Sequence, residues 1–182
     1  MKFRFAAISL MLVLSSCAST PKLDYYTLDM SSSGTVVTDL NLEVARFAIS
    51  ERIDRTQIVI QKSPTRIDYY SKDRWASSVG EMVEHKLAAE FGPAVDGGRT
   101  FIVSGTVIAF EQVDSPSGPQ AKVKLEIAIR KGGAKRYEAP LLEKTYETIR
   151  TADSNSVDAV VQALSRALEA IAAEIATDAA GL

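Results

Sequence analysis

The sequence predicts an α+β fold, a mostly antiparallel sheet with two amphipathic helices packed on one face. Three observations lead there. Residues 100–150 read as three strands joined by two hairpin loops, which makes an antiparallel meander. Trp75, Val79, Met82, Val83 and Leu87 fall on one helical stripe, and Val157, Val160, Val161, Leu164, Leu168, Ile171 and Ile175 fall on a second. Short runs of strand formers fill most of the chain between residues 24 and 70.

The chain opens with Lys2 and Arg4 ahead of an apolar run, residues 5–14, that has the length of a signal-peptide core and is too short to span a bilayer. Leu14, Ser15, Ser16 and Cys17 then read as a lipobox: an aliphatic residue, two small residues that fit a narrow peptidase cleft, and a thiol to carry diacylglycerol. Cys17 is the chain's one cysteine, so its lipidation leaves no thiol for a disulfide. Each buried methylene of an acyl chain adds ~0.8 kcal/mol of membrane affinity, and two or three chains make a stable anchor. The expected organisation is a cleaved signal peptide at 1–16, lipidated Cys17 with a linker to 23, one α+β domain at 24–178, and a fraying tail at 179–182. No cofactor is expected beyond the lipid on Cys17. By the sorting rule of Gram-negative lipoproteins, Ala18 in place of Asp directs the protein to the outer membrane, facing the periplasm.

Residues 24–29 form a short strand, and Ser31-Ser32-Ser33-Gly34 a loop. In residues 40–49, Leu40, Leu42 and Val44 share one face while Phe47 and Ile49 share the other, so a strand with a bulge is expected. Residues 57–60 and 66–70 are two strands separated by a turn at Ser63-Pro64-Thr65. The first helix is expected to start from an N-cap at Ser71 with Asp73 in its first turn, and to end at Phe91-Gly92-Pro93. Residues 100–112 are apolar on both faces and central. In residues 121–130, Ala121, Val123, Leu125, Ile127 and Ile129 point inward and the charged residues outward. Hairpin loops are expected at 114–119 and at Lys131-Gly132-Gly133-Ala134. The second helix begins within Asp153-Ser154-Asn155-Ser156.

Composition narrows the function. The whole chain carries net charge −2, and loss of Lys2 and Arg4 makes it −4, which argues against a nucleic-acid partner. His85 is the only histidine and lies off the centre of its helical stripe, at a solvated or boundary position. Metal-ligand spacing, a Gly-x-Ser-x-Gly elbow and a phosphate-cradling Gly-x-x-x-x-Gly-Lys loop are all missing from the sequence. No enzyme is expected, and any ATP-driven process has to draw its energy from another subunit.

Two clusters remain, Asp54, Arg55 and Gln57 leading to Ile58-Val59, and Tyr69 or Tyr70 leading to Arg74, Trp75 and Ala76; a Tyr-Tyr-x-Leu strand, Tyr25, Tyr26 and Leu28, precedes them. Read plainly, Trp75 is a core residue, Arg74 a solvated neighbour and Asp54-Arg55 a surface turn. Read functionally, Arg55, Arg74 and the aromatics belong to an interface, where Trp, Tyr and Arg concentrate binding energy. In this order after a lipobox, the clusters resemble the ABC-type transport auxiliary lipoproteins. These are the PqiC-like outer-membrane lipoproteins that accompany MCE-domain lipid-trafficking systems. The match covers roughly residues 17–91. It departs at Ile53 and Thr56, where the family often has Leu and Pro around the Asp-Arg pair.

The resemblance implies a non-catalytic role: docking or aligning an MCE-domain protein while a permease and an ATPase in the inner membrane drive lipid movement, with a homo-oligomeric ring as a further expectation. Two other readings stay open from the residues. One is a tethered periplasmic carrier of lipid or another small ligand, which needs an apolar cavity between sheet and helices. The other is a structural or assembly lipoprotein of the envelope.

Overall fold

The computed structural model describes residues 22–34 and 39–182. The lipobox residues Leu14, Ser15 and Ser16 and the anchor Cys17 lie outside them. The elements are β1 (Asp24–Tyr26), β2 (Leu40–Ile49), β3 (Gln57–Ser63), β4 (Arg66–Trp75), α1 (Val79–Phe91), β5 (Arg99–Ser115), β6 (Gly118–Lys131), β7 (Leu142–Thr151) and α2 (Val157–Ala180). All seven strands join one open sheet in the order β1-β4-β3-β5-β6-β7, with β2 also paired to β5.

The sheet is mixed, which corrects the mostly antiparallel expectation. The β5-β6-β7 meander is antiparallel as expected, and so is β3 with β4. However, β1 pairs with β4, and β2 and β3 both pair with β5, in parallel. Side-chain alternation reports which face a residue occupies and is blind to the direction of the neighbouring strand. Parallel neighbours also need a long crossover, here β3, β4 and α1 between β2 and β5, which hairpin signals cannot reveal.

β5 is the longest strand, at 17 residues, and has two occupied edges. One is taken by β6 from Phe101 to Ser115, with a register shift between Val107 and Ala109. The other is divided: β2 runs beside Arg99–Val107, the chain turns, and β3 resumes beside Glu111–Val113. The inward set on β6 is as predicted, with Ala121, Val123, Leu125, Ile127 and Ile129 all buried. Over that face α1 and α2 pack beside each other, α1 against β2 and α2 against β6 and β7. Leu164, Leu168 and Ile171 of α2 and Val83 and Leu87 of α1 are completely buried, so the two stripes and the sheet share one core.

The bulge expected in β2 lies between Val44 and Phe47. Glu84 of α1 accepts the Phe47 amide at 2.6 Å, supplying an acceptor at the irregular step in the ladder. Phe47 pairs with Gly105, where a Cβ would stand 2.2 Å from the Glu126 carbonyl oxygen and 3.1 Å from the Phe47 ring. Only glycine lets β2, β5 and β6 approach this closely.

Four boundaries differ from expectation. The first helix is capped by Ser78, which accepts the Glu81 amide at 3.2 Å, and not by Ser71. Residues 71–75 are sheet because their backbone is claimed by neighbours: Asp73–Trp75 pair with β1, and the Trp75 amide donates to the Thr56 carbonyl at 2.7 Å. The loop expected at 114–119 shrinks to a tight turn from Ser115 to Gly118, while the connection after β6 runs on to β7 at Leu142. The tail does not fray at Ala179, which is fully buried in α2. Lys144 and Tyr146 both donate to Asp178, at 2.7 and 2.6 Å, and hold this last turn against β7.

Gly105→Ala should lower the unfolding free energy by about 1–3 kcal/mol through steric strain, read by urea denaturation. An unchanged midpoint would mean that the three strands separate at little cost.

Candidate functional site

The tertiary fold gathers the two sequence clusters and the strand before them into one corner, where β1, β4 and the start of β3 meet. Tyr25 lies opposite Arg74 and Tyr26 opposite Trp75 in the parallel β1–β4 register, while Gln57 pairs with Arg74 from the other side. Between the Gln57–Arg74 and Val59–Tyr69 pairs, β4 has four residues, Tyr70 to Asp73, against one on β3. This wide bulge turns carbonyls away from the ladder. The Arg74 guanidinium fills it, donating to the carbonyls of Tyr70 at 2.8 Å, Ser71 at 2.9 Å and Asp73 at 2.9 Å. The five fixed donors of arginine suit three converging acceptors in a way that a lysine ammonium does not.

Trp75 is buried against Phe110, with ring centroids 5.6 Å apart, and Leu28 is buried in the same core. The plain reading therefore holds for Trp75, while Arg74 is a structural clamp, not a solvated neighbour. Asp54 is exposed in the β2–β3 turn, where its amide donates to the Ser50 carbonyl at 3.1 Å. Arg55 lies over the Tyr69 ring at 4.4 Å, a cation–π contact from the turn to β4. Tyr70 donates to Gln112 at 2.6 Å, and Gln112 in turn donates to Asp114 at 2.6 Å. The Tyr26 phenol is pushed up to about 12 by burial and by the Asp73 carboxylate, and stays neutral. Tyr25 is exposed, at 64 %. His85 is exposed on α1.

Two groups of charged residues were not legible in the sequence. In the first, Lys86 of α1 is fully buried and donates to Glu90 at 2.7 Å, Glu169 of α2 at 2.8 Å and the Ser31 carbonyl at 2.6 Å. Glu90, also buried, accepts from the Ser33 amide and hydroxyl. The cluster joins α1 to α2 and fastens the segment after β1 across both. Burial opposes charge on Lys86, but the two carboxylates outweigh it and raise its pKa. Burial likewise opposes the Glu90 anion, and Lys86 with Ser33 more than compensates, lowering its pKa. The i, i+4 spacing of Lys86 and Glu90 was visible, but it ordinarily marks a solvated helix face.

The second is Glu111, completely buried on β5, where Arg52 meets Oε1 at 3.1 Å and Oε2 has no hydrogen-bond partner among the described residues. Burial raises its pKa in spite of Arg52 and Lys122. The Arg52 contact ties the β2–β3 turn, which carries Asp54 and Arg55, down onto β5. Its one sequence signal was a carboxylate set within the apolar run of β5.

A groove of about 530 Å³ between β1 and α2 is lined by Tyr26, Leu28, Asp158, Gln162, Arg166 and Glu169, a largely polar set. No three or more His, Cys, Asp or Glu side chains among the described residues are grouped to hold a metal ion. Among those residues no helix is long and apolar enough to cross a membrane.

Residues 26–176 match the family described as ABC-type transport auxiliary lipoprotein component. No curated protein sequence matches the chain significantly. Two solved structures share the fold. One, a crystal structure of an uncharacterized protein, has TM-score 0.66 and 17 % identity over 87 % of this chain and 99 % of its own. The other, from Xanthomonas campestris and assigned to the family DUF330, has TM-score 0.60 and 18 % identity over 85 % of this chain and 90 % of its own.

Three outcomes are expected of this geometry. Trp75→Ala should cost about 3–5 kcal/mol of stability, and Arg74→Lys should fail to restore what Arg74→Ala loses, both measured by chemical denaturation. Recovery by lysine would show that charge suffices without the three-carbonyl fork. Glu90 has a lowered folded pKa, so its stabilisation is complete above the unfolded carboxylate value and fades as pH falls through the folded one. The stability gap between wild type and Glu90→Gln should therefore be widest at neutral pH and shrink below about pH 4. A gap independent of pH would remove the ion pair as its cause.

Proposed function

Because the chain belongs to the family of ABC-type transport auxiliary lipoprotein components, we propose that it is the lipid-anchored, non-catalytic accessory subunit of an MCE-type lipid transport system. In this reading Cys17 carries the acyl anchor and Ala18 directs the protein to the outer membrane, with the domain facing the periplasm. An MCE-domain protein is its partner, an inner-membrane permease and ATPase supply the energy, and several copies assemble as a ring.

The observation that carries the reading is the family match over residues 26–176, downstream of a lipobox in the same chain. The fold adds support. The space between sheet and helices is occupied by Val103, Val107, Val123, Leu125, Leu164 and Leu168, all fully buried. A carrier would need that volume for its ligand, so a docking role fits the filled core better. Tyr25, Asp54 and Arg55 are the motif residues that stay exposed, and they are the ones proposed to meet a partner.

Full-length protein extracted from membranes and isolated by pull-down, with Cys17→Ala as control, should bring down an MCE-domain protein with its permease or ATPase, identified by mass spectrometry. Phospholipid recovered without those proteins would replace the accessory role with that of a carrier.

A further inference from the structure

We propose that the outer edge of β7 is a docking edge that takes an extended segment of a partner protein as an additional, antiparallel strand of the sheet. The inference adds a site to the accessory role proposed above and holds whichever transport system supplies the partner.

β7 is the last strand of the sheet, and among the described residues no strand pairs with its far side. Hydrogen-bond alternation decides which backbone groups face that side. The Ala152 amide donates to the Pro119 carbonyl at 3.0 Å, and the β6–β7 register runs unbroken from Gln120–Thr151 to Ile129–Leu142. In such a ladder, residues bonded to the neighbour alternate with residues turned away from it. Counting back from Ala152, the even-numbered residues bond to β6. Glu143, Thr145, Glu147, Ile149 and Thr151 therefore direct their amides and carbonyls outward, and all of them are exposed. The row repeats about every 7 Å, a spacing that another extended backbone matches along its length.

The sheet's other borders are guarded. Glu84 of α1 takes the Phe47 amide beside the bulge of β2. β4 is broken by its wide bulge and covered at Asp73–Trp75 by β1. β7 has no bulge, proline or glycine. Two of its charges lean back on the molecule, Lys144 on Asp178 at 2.7 Å and Glu147 on Lys122 and Lys124, both at 3.1 Å. The devices that keep another strand away are thus missing from this edge or turned inward.

The remaining side chains select the occupant. Glu143 and Arg150 form no ion pair among the described residues, and Ile149 is 48 % exposed. An antiparallel strand meets them with an acidic residue opposite Arg150, an aliphatic one opposite Ile149 and a basic one opposite Glu143. A second copy does not supply this set. Backbone pairing sets outward residues opposite outward ones, so the self-pairings of fullest overlap are centred on Tyr146 or on Glu147. The first puts Leu142 against Arg150 and Glu143 against Ile149. The second puts Lys144 against Arg150 and Glu147 against its own copy, like charges in both cases. The occupant is therefore a segment of another protein.

The test uses the full-length protein in detergent and a capped peptide, Glu-Val-Thr-Val-Thr-Val-Thr-Lys, which spans Arg150 to Glu143 when antiparallel to β7. Amide exchange followed by NMR should be fast at Thr145, Glu147 and Ile149 in the free protein and slow by about tenfold at saturating peptide, with Lys144, Tyr146 and Thr148 protected throughout. Binding of labelled peptide, read by fluorescence anisotropy, should weaken about tenfold in Thr145→Pro, whose lost amide has no partner in the β6–β7 ladder, and severalfold in Arg150→Glu. Exchange in the wild type and the Arg150→Glu result decide the matter even where proline disturbs folding. Unchanged exchange at the three outward amides, or an affinity indifferent to both substitutions, would overturn the proposal. A dimer of the peptide-free protein that Thr145→Pro dissociates would overturn the choice of occupant and give the edge to a second copy.

Discussion

Backbone pairing along β5 is the constraint on which this structure depends. A 17-residue strand offers two long rows of amides and carbonyls, and burial at the centre of a sheet requires that both rows be occupied. β6 serves one row from Phe101 to Ser115, and β2 and β3 share the other. That division explains why the chain between Ile49 and Gln57 turns aside and resumes. It also explains why the Asp54-Arg55 turn sits over the sheet, held there by Arg52 on Glu111.

The family motifs become intelligible from that arrangement. They are spread over some fifty residues of sequence, yet they meet because β4 must turn from the hairpin with β3 to the core beneath α1. The four-residue bulge makes that turn, Arg74 satisfies its carbonyls, and Trp75 is delivered inward onto Phe110. β1 then covers the free edge of β4 at Asp73–Trp75 and places Leu28 in the same core. A conspicuous Arg-Trp pair thus serves the fold, while Tyr25, Asp54 and Arg55 are the motif residues left exposed.

The buried charges show two ways of treating desolvation. Around Lys86 every strong acceptor is matched, by Glu90, Glu169 and the Ser31 carbonyl, so ionisation persists and the cluster joins three segments. Glu111 is compensated by one arginine alone, and its second oxygen lacks a donor among the described residues. Its carboxylate therefore opposes stability at neutral pH, the reverse of Glu90.

Sequence by itself determined whatever depends on near neighbours along the chain. The inward set Ala121 to Ile129, the bulge in β2, the stripe of α2 and that of α1 from Val79 onward, the helix end at Gly92 and the β5-β6-β7 meander all follow from side-chain period and turn chemistry, and the lipobox motif is equally local. Tertiary structure decided the rest, because it turns on which distant edges meet and which groups lose water. Residues 71–75 look like a helix start until β1 and Thr56 take their amides. Ala179 looks like a fraying end until Lys144 and Tyr146 hold the last turn. Lys86 and Glu90 look like ordinary solvated residues until the two helices close over them, and the partner of Glu111 is unknown until the β2–β3 turn brings Arg52 onto it. The parallel pairings belong to the same class, since side-chain alternation on a strand is the same whichever way its neighbour runs.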